Sequence, residues 1–258
     1  MDVAAVGPLH GRRAVVTGGG RGIGRATALR LADLGADVAV IARTEPEISR
    51  VASEIEKRGV RGIARPADLT TFAACRAAIE GAGQSLGGLE ILVNNAGWTL
   101  TSAFLEEEES YWRHVVDANL WSTVFCSRVA LEWMSAHGGG TIVNVASDAG
   151  RVGTAGEAIY SAAKGGVIAL TRSLAREMAR HRVRINCVCP GPTETAVLAA
   201  SRNDPEHAGK IERMIRLIPM RRVAQPEEIA NAVAFFCGDS SQYITGQVLS
   251  VSGGLTMV

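Results

Sequence analysis

The sequence predicts a single α/β domain whose core is a doubly wound parallel sheet of about seven strands, with helices on both faces. Three observations carry this. Short apolar runs recur along the 258 residues with helical stretches between them, the rhythm of successive βαβ units. The runs lack polar alternation, so both faces of each strand are expected to be buried, as in parallel sheets. Glycine and proline punctuate strand ends, as at Gly138–Gly140 and Pro190–Pro192, while no low-complexity linker divides the chain. A hydrophobic content of 47% suits one large core, and residues 1–258 are read as one domain.

The expected strands, in chain order, are Ala14–Thr17, Val38–Ala42, Gly62–Arg65, Ile91–Asn94, Thr141–Ser147, Arg184–Cys189 and Gln247–Val251. After the first, Ile23, Ala26, Leu31 and Leu34 are available to pack one side of a helix. Glu106–Glu109 is the sharpest charge run; four acids beside Ser110 suit the positive N-terminal end of a solvated helix better than an acid–base role. Ala158–Arg180 reads as one long helix.

Composition excludes several classes of function. Net charge is +1 and the pI is about 7.7, with no Lys/Arg block to track a nucleic-acid backbone or an anionic membrane. Met1–Gly11 lacks a basic segment followed by an apolar one, and no run of about 18 apolar residues occurs, so a cytoplasmic protein is expected. The five cysteines (Cys75, Cys126, Cys187, Cys189 and Cys237) lie in apolar surroundings without metal-ligand spacing, and the five histidines form no cluster. Buried small hydrophobes and no metal site are expected, although Cys187 and Cys189 share one side of a strand, as a redox pair would.

The first strand leads into Thr17, Gly18, Gly19, Gly20, Arg21, Gly22, Ile23, Gly24 and then the helix. A turn this rich in glycine lets backbone N–H groups approach a pyrophosphate, and the helix N-terminus favours that negative charge. A glycine loop alone is weak evidence of a dinucleotide; the strand before it and the helix after it strengthen the reading. The spacing Gly18, Gly22, Gly24 is one residue longer between its first two glycines than the usual Rossmann pattern. In this the chain resembles the short-chain dehydrogenase/reductase family, whose members carry NAD or NADP on a Rossmann-like fold. The resemblance implies that Gly18, Gly20, Arg21, Gly22, Ile23 and Gly24 hold the cofactor.

An acid at the end of the second strand accepts the NAD ribose hydroxyl in that family; here Ala42, Arg43 and Thr44 stand instead. Arg43, flanked by Arg21, suits a 2′-phosphate, so NADP is expected as the preferred cofactor. Glu45 is close enough in sequence to leave an NAD-type contact open. Asp68 and Leu69 match the family's adenine-contacting position, though Asp68 reads equally as a helix cap. Asn94, Asn95, Ala96 and Gly97 resemble the family's Asn-Asn-Ala-Gly segment, where the backbone passes close to the cofactor.

Tyr160 and Lys164 are four residues apart and share one face of the long helix, and Ser147 precedes Tyr160 by thirteen. With only three lysines against 24 arginines, a lysine here suggests a need for a compact ammonium. Ser147 ends the fifth strand, where open α/β sheets place their chemistry. A free phenol has a pKa near 10, and a neighbouring ammonium with an oxidised nicotinamide is expected to lower it. Tyr160 then serves as acid in reduction and base in oxidation, while Ser147 holds the substrate oxygen as negative charge builds. The resemblance further implies that Lys164 and Tyr160 bind the cofactor and that Asn119 is a fourth catalytic residue, holding a water. It also implies that Pro190, Gly191, Thr193 and Thr195 orient the nicotinamide amide and that residues around 194–220 form a substrate lid. Homotetramers built through the Tyr160 helix and the C-terminal strand are a further implication.

The resemblance spans Gly11–Gly254. Within the family, Ala146–Gly153, Gly156–Tyr160, Cys189–Thr195 and Ile244–Met257 are most similar to 2-hydroxycyclohexanecarboxyl-CoA dehydrogenases, with 3-oxoacyl-carrier-protein reductases as broader neighbours. Those dehydrogenases carry an acid where this chain has Arg43. Trp98, Leu100, Arg151, Val152, Thr154, Leu198 and Met214 are candidate pocket residues, with Arg151 meeting either a thioester or carboxylate or only a surface partner. The expected activity is hydride transfer between NADP(H) and a secondary alcohol or ketone on a small molecule, foremost a hydroxyacyl or oxoacyl thioester. NAD-dependent oxidation of an alicyclic or simple alcohol is the alternative, and a non-catalytic NAD(P)-binding regulator is the rival from another class.

Overall fold

Seven strands form one sheet in the computed structural model, which describes residues 7–195, 198 and 205–258. They are β1 (Arg13–Thr17), β2 (Asp37–Ala42), β3 (Gly62–Pro66), β4 (Ile91–Asn94), β5 (Gly140–Val145), β6 (Val183–Pro190) and β7 (Val248–Val251). Their order is β3-β2-β1-β4-β5-β6-β7, and every pairing is parallel. The connecting helices are α1 (Gly22–Asp33), α2 (Glu45–Glu56), α3 (Phe72–Leu86), α4 (Glu109–Val116), α5 (Ser122–Ala136), α6 (Ala149–Val152), α7 (Ala158–Met178), α8 (Pro205–Leu217) and α9 (Pro226–Cys237).

Unbroken apolar strands bury both faces because successive side chains point to opposite sides. On one face Ala14, Val16, Val38, Val40 and Val93 pack against Leu31 of α1, Ile48 and Ile55 of α2, and Ile229 and Val233 of α9. On the other, Val15, Ala39, Ile41, Leu92 and Ile142 meet Ile79 and Ala82 of α3, Met134 of α5 and Ala175 of α7. Each fully buried Leu or Ile contributes about 1.5–3 kcal/mol. All five cysteines are free and buried; Cys187 and Cys189 lie with their sulfurs 4.0 Å apart beneath α7.

One polar chain crosses the second layer. Asn94 donates to Ser127 Oγ and Asn144 Oδ1, both at 2.9 Å, and Asn144 donates to Thr171 Oγ1 at 2.9 Å. Thr171 then donates to Val167 O at 2.8 Å. These bonds tie β4, β5, α5 and α7 together and fix how α7 sits on the sheet.

The strand order reverses between β1 and β4, and there the carboxyl ends of the strands part into a crevice. Some boundaries differ from the sequence expectation. β5 stops at Val145, because beyond Ala146 the chain leaves the ladder and Asp148 N bonds Pro190 O at 3.1 Å as α6 begins. α7 ends at Met178 and tightens into the 3-10 turn Ala179–His181 before Arg182 takes φ 58°. Of the acidic run, Glu108 and Glu109 open α4, while Glu107 accepts from Ser102 Oγ and Trp112 Nε1, both at 2.7 Å. Of the segment expected as a lid over 194–220, residues 196–197 and 199–204 lie outside the described residues.

Candidate active site

The crevice opens into a cleft of about 920 Å³. Its floor at one end is the β1–α1 turn. Gly18 adopts φ 64°, and a Cβ on Gly24 would come within 2.1 Å of Gly18 O, so this tight turn into α1 has no room for a side chain. Thr17 Oγ1 accepts from Asn95 N and Ala96 N, both at 3.0 Å, and Asn95 Nδ2 donates to Thr17 O and Gly18 O. The two segments that frame the switch point are thereby locked to each other. The N-terminal N–H groups of α1 have no side-chain cap. A free helix N-terminus over a side-chain-less loop fits a dinucleotide pyrophosphate.

Every residue expected to hold the cofactor lines this cleft: Gly18, Gly20, Arg21, Gly22, Ile23, Gly24, Arg43, Asp68, Leu69, Asn95, Ala96, Gly97, Tyr160, Lys164, Pro190, Gly191, Thr193 and Thr195. Arg43 and Arg21 are exposed and make no side-chain hydrogen bond or ion pair among the described residues. Asp68 does not cap α3: Thr71 is the N-cap, accepting from Ala74 N at 3.3 Å, while Asp68 Oδ1 accepts from Thr70 N at 3.1 Å. The acid that lines the cleft near Arg43 is Glu47, not Glu45; a Cβ on Gly20 would lie 3.1 Å from Glu47 Oε2. Glu47 sits in the first turn of α2, and only the helix start, a boundary sequence patterns place poorly, shows which acid turns inward.

Ser147, Tyr160 and Lys164 converge at the other end of the same cleft. Ser147 Oγ accepts from Ala149 N at 3.1 Å as the chain enters α6. Gly150 lets that short helix lie on α7, since a Cβ there would meet the Lys164 carbonyl carbon at 2.6 Å. Lys164 Nζ donates to Val145 O at 3.0 Å and lies 5.7 Å from the centroid of the Tyr160 ring.

Burial pushes the Tyr160 hydroxyl up to about 12; its hydrogen bond with Ser147 pulls the other way, and Glu157 adds to the rise. Burial lowers Lys164 to about 8. The lowered phenol expected from the sequence is therefore not the state of the protein alone. Desolvation outweighs the ammonium, whose proton is directed at a backbone carbonyl.

Asn119 does not line the cleft but lies fully buried behind it, in the π-helical turn Asp117–Trp121 that joins α4 to α5. Its Nδ2 donates to Trp98 O at 2.6 Å and Val115 O at 2.8 Å, and its Oδ1 accepts from Trp98 N at 3.3 Å. A Cβ on Gly97 would lie 2.6 Å from Asn119 Oδ1 and 3.3 Å from Lys164 Nζ, which puts both polar heads directly under that backbone.

Of the candidate pocket residues, Trp98, Leu100, Val152, Thr154, Leu198 and Met214 line the cleft. Arg151 does not: it donates to Val248 O at 3.2 Å and Ser250 Oγ at 3.0 Å on β7. Among the lining residues that were not anticipated are two more ionisable groups besides Glu47: His114 on α4, edge-on to Trp98, and Glu157 at the N-cap of α7. His114 belongs to no motif, and Glu157, although inside the Gly156–Tyr160 segment, was given no role there, because only tertiary packing shows that they face the cleft. Among the described residues no group of His, Cys, Asp and Glu is arranged to hold a metal ion, and no helix is long and apolar enough to cross a membrane.

Fold and cleft together define a dinucleotide-binding oxidoreductase of the open α/β kind. Residues 18–256 match the family model described as enoyl-(acyl carrier protein) reductase. The chain is 38% identical over 247 residues to a 3-oxoacyl-(acyl-carrier-protein) reductase of Staphylococcus aureus, covering 95% of this chain and 98% of that one. It is 39% identical over 253 residues to the 2,3-dihydroxy-2,3-dihydro-p-cumate dehydrogenase of Pseudomonas putida, covering 97% and 96%. Among solved structures, a short-chain alcohol dehydrogenase from Sinorhizobium meliloti 1021 superposes with a TM-score of 0.91 at 38% identity, covering 96% of this chain and 97% of that one. The chain belongs to the short-chain dehydrogenase/reductase family. It is an NAD(P)-dependent enzyme acting on an alcohol or ketone.

Proposed function

We propose that this enzyme interconverts a hydroxyacyl and an oxoacyl thioester with NADP(H) as its preferred cofactor. The observation that carries the reading is the convergence of Ser147, Tyr160 and Lys164 on a cleft whose other end offers the glycine loop with Arg21 and Arg43. Gly18–Gly24 and the uncapped start of α1 would hold the cofactor's pyrophosphate, and Asp68 and Leu69 its adenine end. Arg43 and Arg21 take the 2′-phosphate, as their free guanidinium groups suit. Glu47 beside Gly20 leaves NAD use open, since a carboxylate there accepts a ribose hydroxyl. Asn95, Ala96 and Gly97 would bring their backbone close to the cofactor, and Pro190, Gly191, Thr193 and Thr195 would hold the nicotinamide amide.

When bound, the nicotinamide supplies or receives the hydride. Ser147 donates a hydrogen bond to the substrate oxygen. Tyr160, held protonated by burial, gives its proton to that oxygen as a ketone is reduced. Running the reaction as an oxidation requires added positive charge beside the phenol to stabilise phenolate, which Lys164 in its ammonium form provides. Asn119 clamps Trp98 to α4 and keeps the Gly97 backbone seated over Lys164. A lid over residues 194–220, a homotetramer and a cytoplasmic location complete the proposal.

The 3-oxoacyl-(acyl-carrier-protein) reductase relative supports the thioester, and apolar Leu100, Val152, Met214 and Leu255 along the cleft suit an acyl chain. The dihydro-p-cumate dehydrogenase relative favours a second reading, an alicyclic secondary alcohol. A panel of linear and alicyclic 3-oxoacyl thioesters and simple ketones, with NADPH and NADH, separates the two. Tyr160→Phe is expected to lower turnover by about 100- to 10,000-fold while cofactor affinity, read by fluorescence quenching, stays within about threefold. Undiminished turnover in the variant overturns the assignment of Tyr160.

A further inference from the structure

Glu157 is the cleft residue that neither the fold nor the proposed proton transfer uses. It is the N-cap of α7, three residues before Tyr160, yet its side chain makes no capping bond. Its carboxylate has no hydrogen bond or ion pair among the described residues, although the residue is half-buried. Burial raises its pKa, and its charge is felt at the Tyr160 hydroxyl, which it pushes up. Helix caps are normally Ser, Thr, Asp or Asn, and without a capping bond Glu157 offers α7 only the favourable interaction of its charge with the helix dipole.

The charges elsewhere in the cleft are unevenly placed. Among its described lining residues the fixed cations are Arg21 and Arg43, at the cofactor's phosphate end, and Lys164, buried and bonded to Val145 O. Arg151, the cation closest in sequence to the catalytic serine, is spent on β7. Around Ser147 and Tyr160 the ionisable groups among the described lining residues, besides the buried Lys164, are Glu157, Asp148, whose Oδ1 accepts from Ser250 Oγ at 2.5 Å, and His114. Among the described residues, the substrate end therefore presents carboxylates to whatever flanks the reacting carbon, and its one cation, Lys164, is buried with its ammonium bonded to Val145 O.

We infer that Glu157 is a specificity-determining residue that sorts substrates by charge, admitting hydroxyacyl and oxoacyl groups masked as neutral esters or thioesters and turning away the corresponding free acids. This deepens the proposed function and rests on it. A free 3-oxo acid carries its carboxylate two bonds from the carbon that is reduced, so binding it beside Tyr160 brings two like charges into one half-solvated cleft. Coulomb repulsion between two carboxylates sharing such a medium weakens binding on the order of tenfold. Masking the acid as a thioester removes that repulsion and leaves the apolar contacts unchanged. Rejection of the wrong substrate through an unfavourable charge is a recognised route to specificity.

The test compares 3-oxobutanoate, its ethyl ester and its N-acetylcysteamine thioester at about pH 8, where carboxyl groups ionise, in the wild type, Glu157→Gln and Glu157→Lys. The expected result is that Glu157→Gln raises kcat/KM for the free acid about tenfold relative to both esters, since any effect through Tyr160 is common to all three substrates. Glu157→Lys is expected to raise the free acid further, and the free acid's inhibition constant against the thioester should fall in parallel. Equal changes for all three substrates, no change, or a wild type that uses the free acid as well as the esters overturns the inference. If the ethyl ester serves as well as the thioester, charge sorting stands and the thioester reading fails. Failure of all three with protein that melts cooperatively and binds cofactor overturns both. Should Glu157→Lys not fold, Glu157→Gln alone decides.

Discussion

Replacing Lys164 with methionine should make the protein more stable while removing its activity. Lys164 is 4% exposed, and burial lowers its pKa from 10.5 to about 8. At pH 7 the folded protein holds a buried ammonium at a cost of about 3 kcal/mol, taking about 1.4 kcal/mol for each pKa unit. Its hydrogen bond to Val145 O, 3.0 Å long, returns about 1 kcal/mol. Methionine fills similar length without the charge, so Lys164→Met is expected to gain about 2 kcal/mol at pH 7, or roughly 4–8 °C in Tm. The pH dependence is the sharper signature. Because the folded pKa lies below the ordinary value, the unfolded chain binds more protons between about pH 8 and 10.5, and the wild type gains stability as pH rises through that window. The variant lacks this gain, so its advantage should shrink toward zero by about pH 10. Calorimetry of both proteins without cofactor at about pH 7 and pH 10 measures the two gaps. A variant less stable than the wild type at pH 7, or a gap that does not change with pH, refutes the argument that burial of the ammonium is uncompensated.

Arg43→Ala should weaken NADPH binding about tenfold by the loss of an exposed charge-assisted contact, with NADH binding unchanged; titration of intrinsic fluorescence with each cofactor reads this, and equal losses for both would remove the 2′-phosphate role. Asn144→Leu should cost about 2 kcal/mol, because Thr171 Oγ1 loses its donor and Asn94 Nδ2 one of two acceptors inside the sheet. Chemical denaturation checks the loss, and an unchanged midpoint would show that the polar chain contributes nothing.

Much of the fold was legible because parallel strands buried on both faces leave unbroken apolar runs, and those runs need no tertiary context to be seen. Ile91–Asn94 was placed to the residue, and the other strands shifted by one or two positions at their ends. The larger slip, at Ser147, has a physical cause: Ala146 still bonds Val188 O at 2.8 Å, so the sequence continues to look like strand while the backbone is already turning. The glycine loop and the Tyr160–Lys164 pair were legible because backbone geometry and helix periodicity constrain them locally. Glu47, His114 and Glu157 were not, since nothing in their neighbours' spacing says which side of a helix start meets the cleft. Arg151 was misplaced for the same reason: its guanidinium turns to β7, a strand 97 residues further along the chain. The lowering expected for the Tyr160 phenol needs both Lys164 and a bound oxidised nicotinamide; in the protein alone desolvation, which no residue spacing reveals, raises it instead.

The two halves of the cleft are built from different materials, and this bears on how the enzyme acquires its substrate. The cofactor half is mostly backbone: Gly18–Gly24, Asn95–Gly97 and Pro190–Gly191 sit at strand ends, where the hydrogen-bonded sheet fixes them. Changing side chains there disturbs the turn itself, as the 2.1 Å approach at Gly24 makes plain. The substrate half is mostly side chain: His114 from α4, Val152 from α6, Glu157 at the start of α7 and Met214 from α8, carried by helices outside the sheet. Substitution there alters charge and shape while Ser147, Tyr160 and Lys164 stay anchored to β5 and α7. An enzyme so divided can exchange one alcohol for another by altering a few helix residues, which is consistent with relatives of 38% and 39% identity that bear the names of a thioester reductase and a dihydrodiol dehydrogenase. Overall identity therefore decides little about the substrate, and the charge at position 157 decides more.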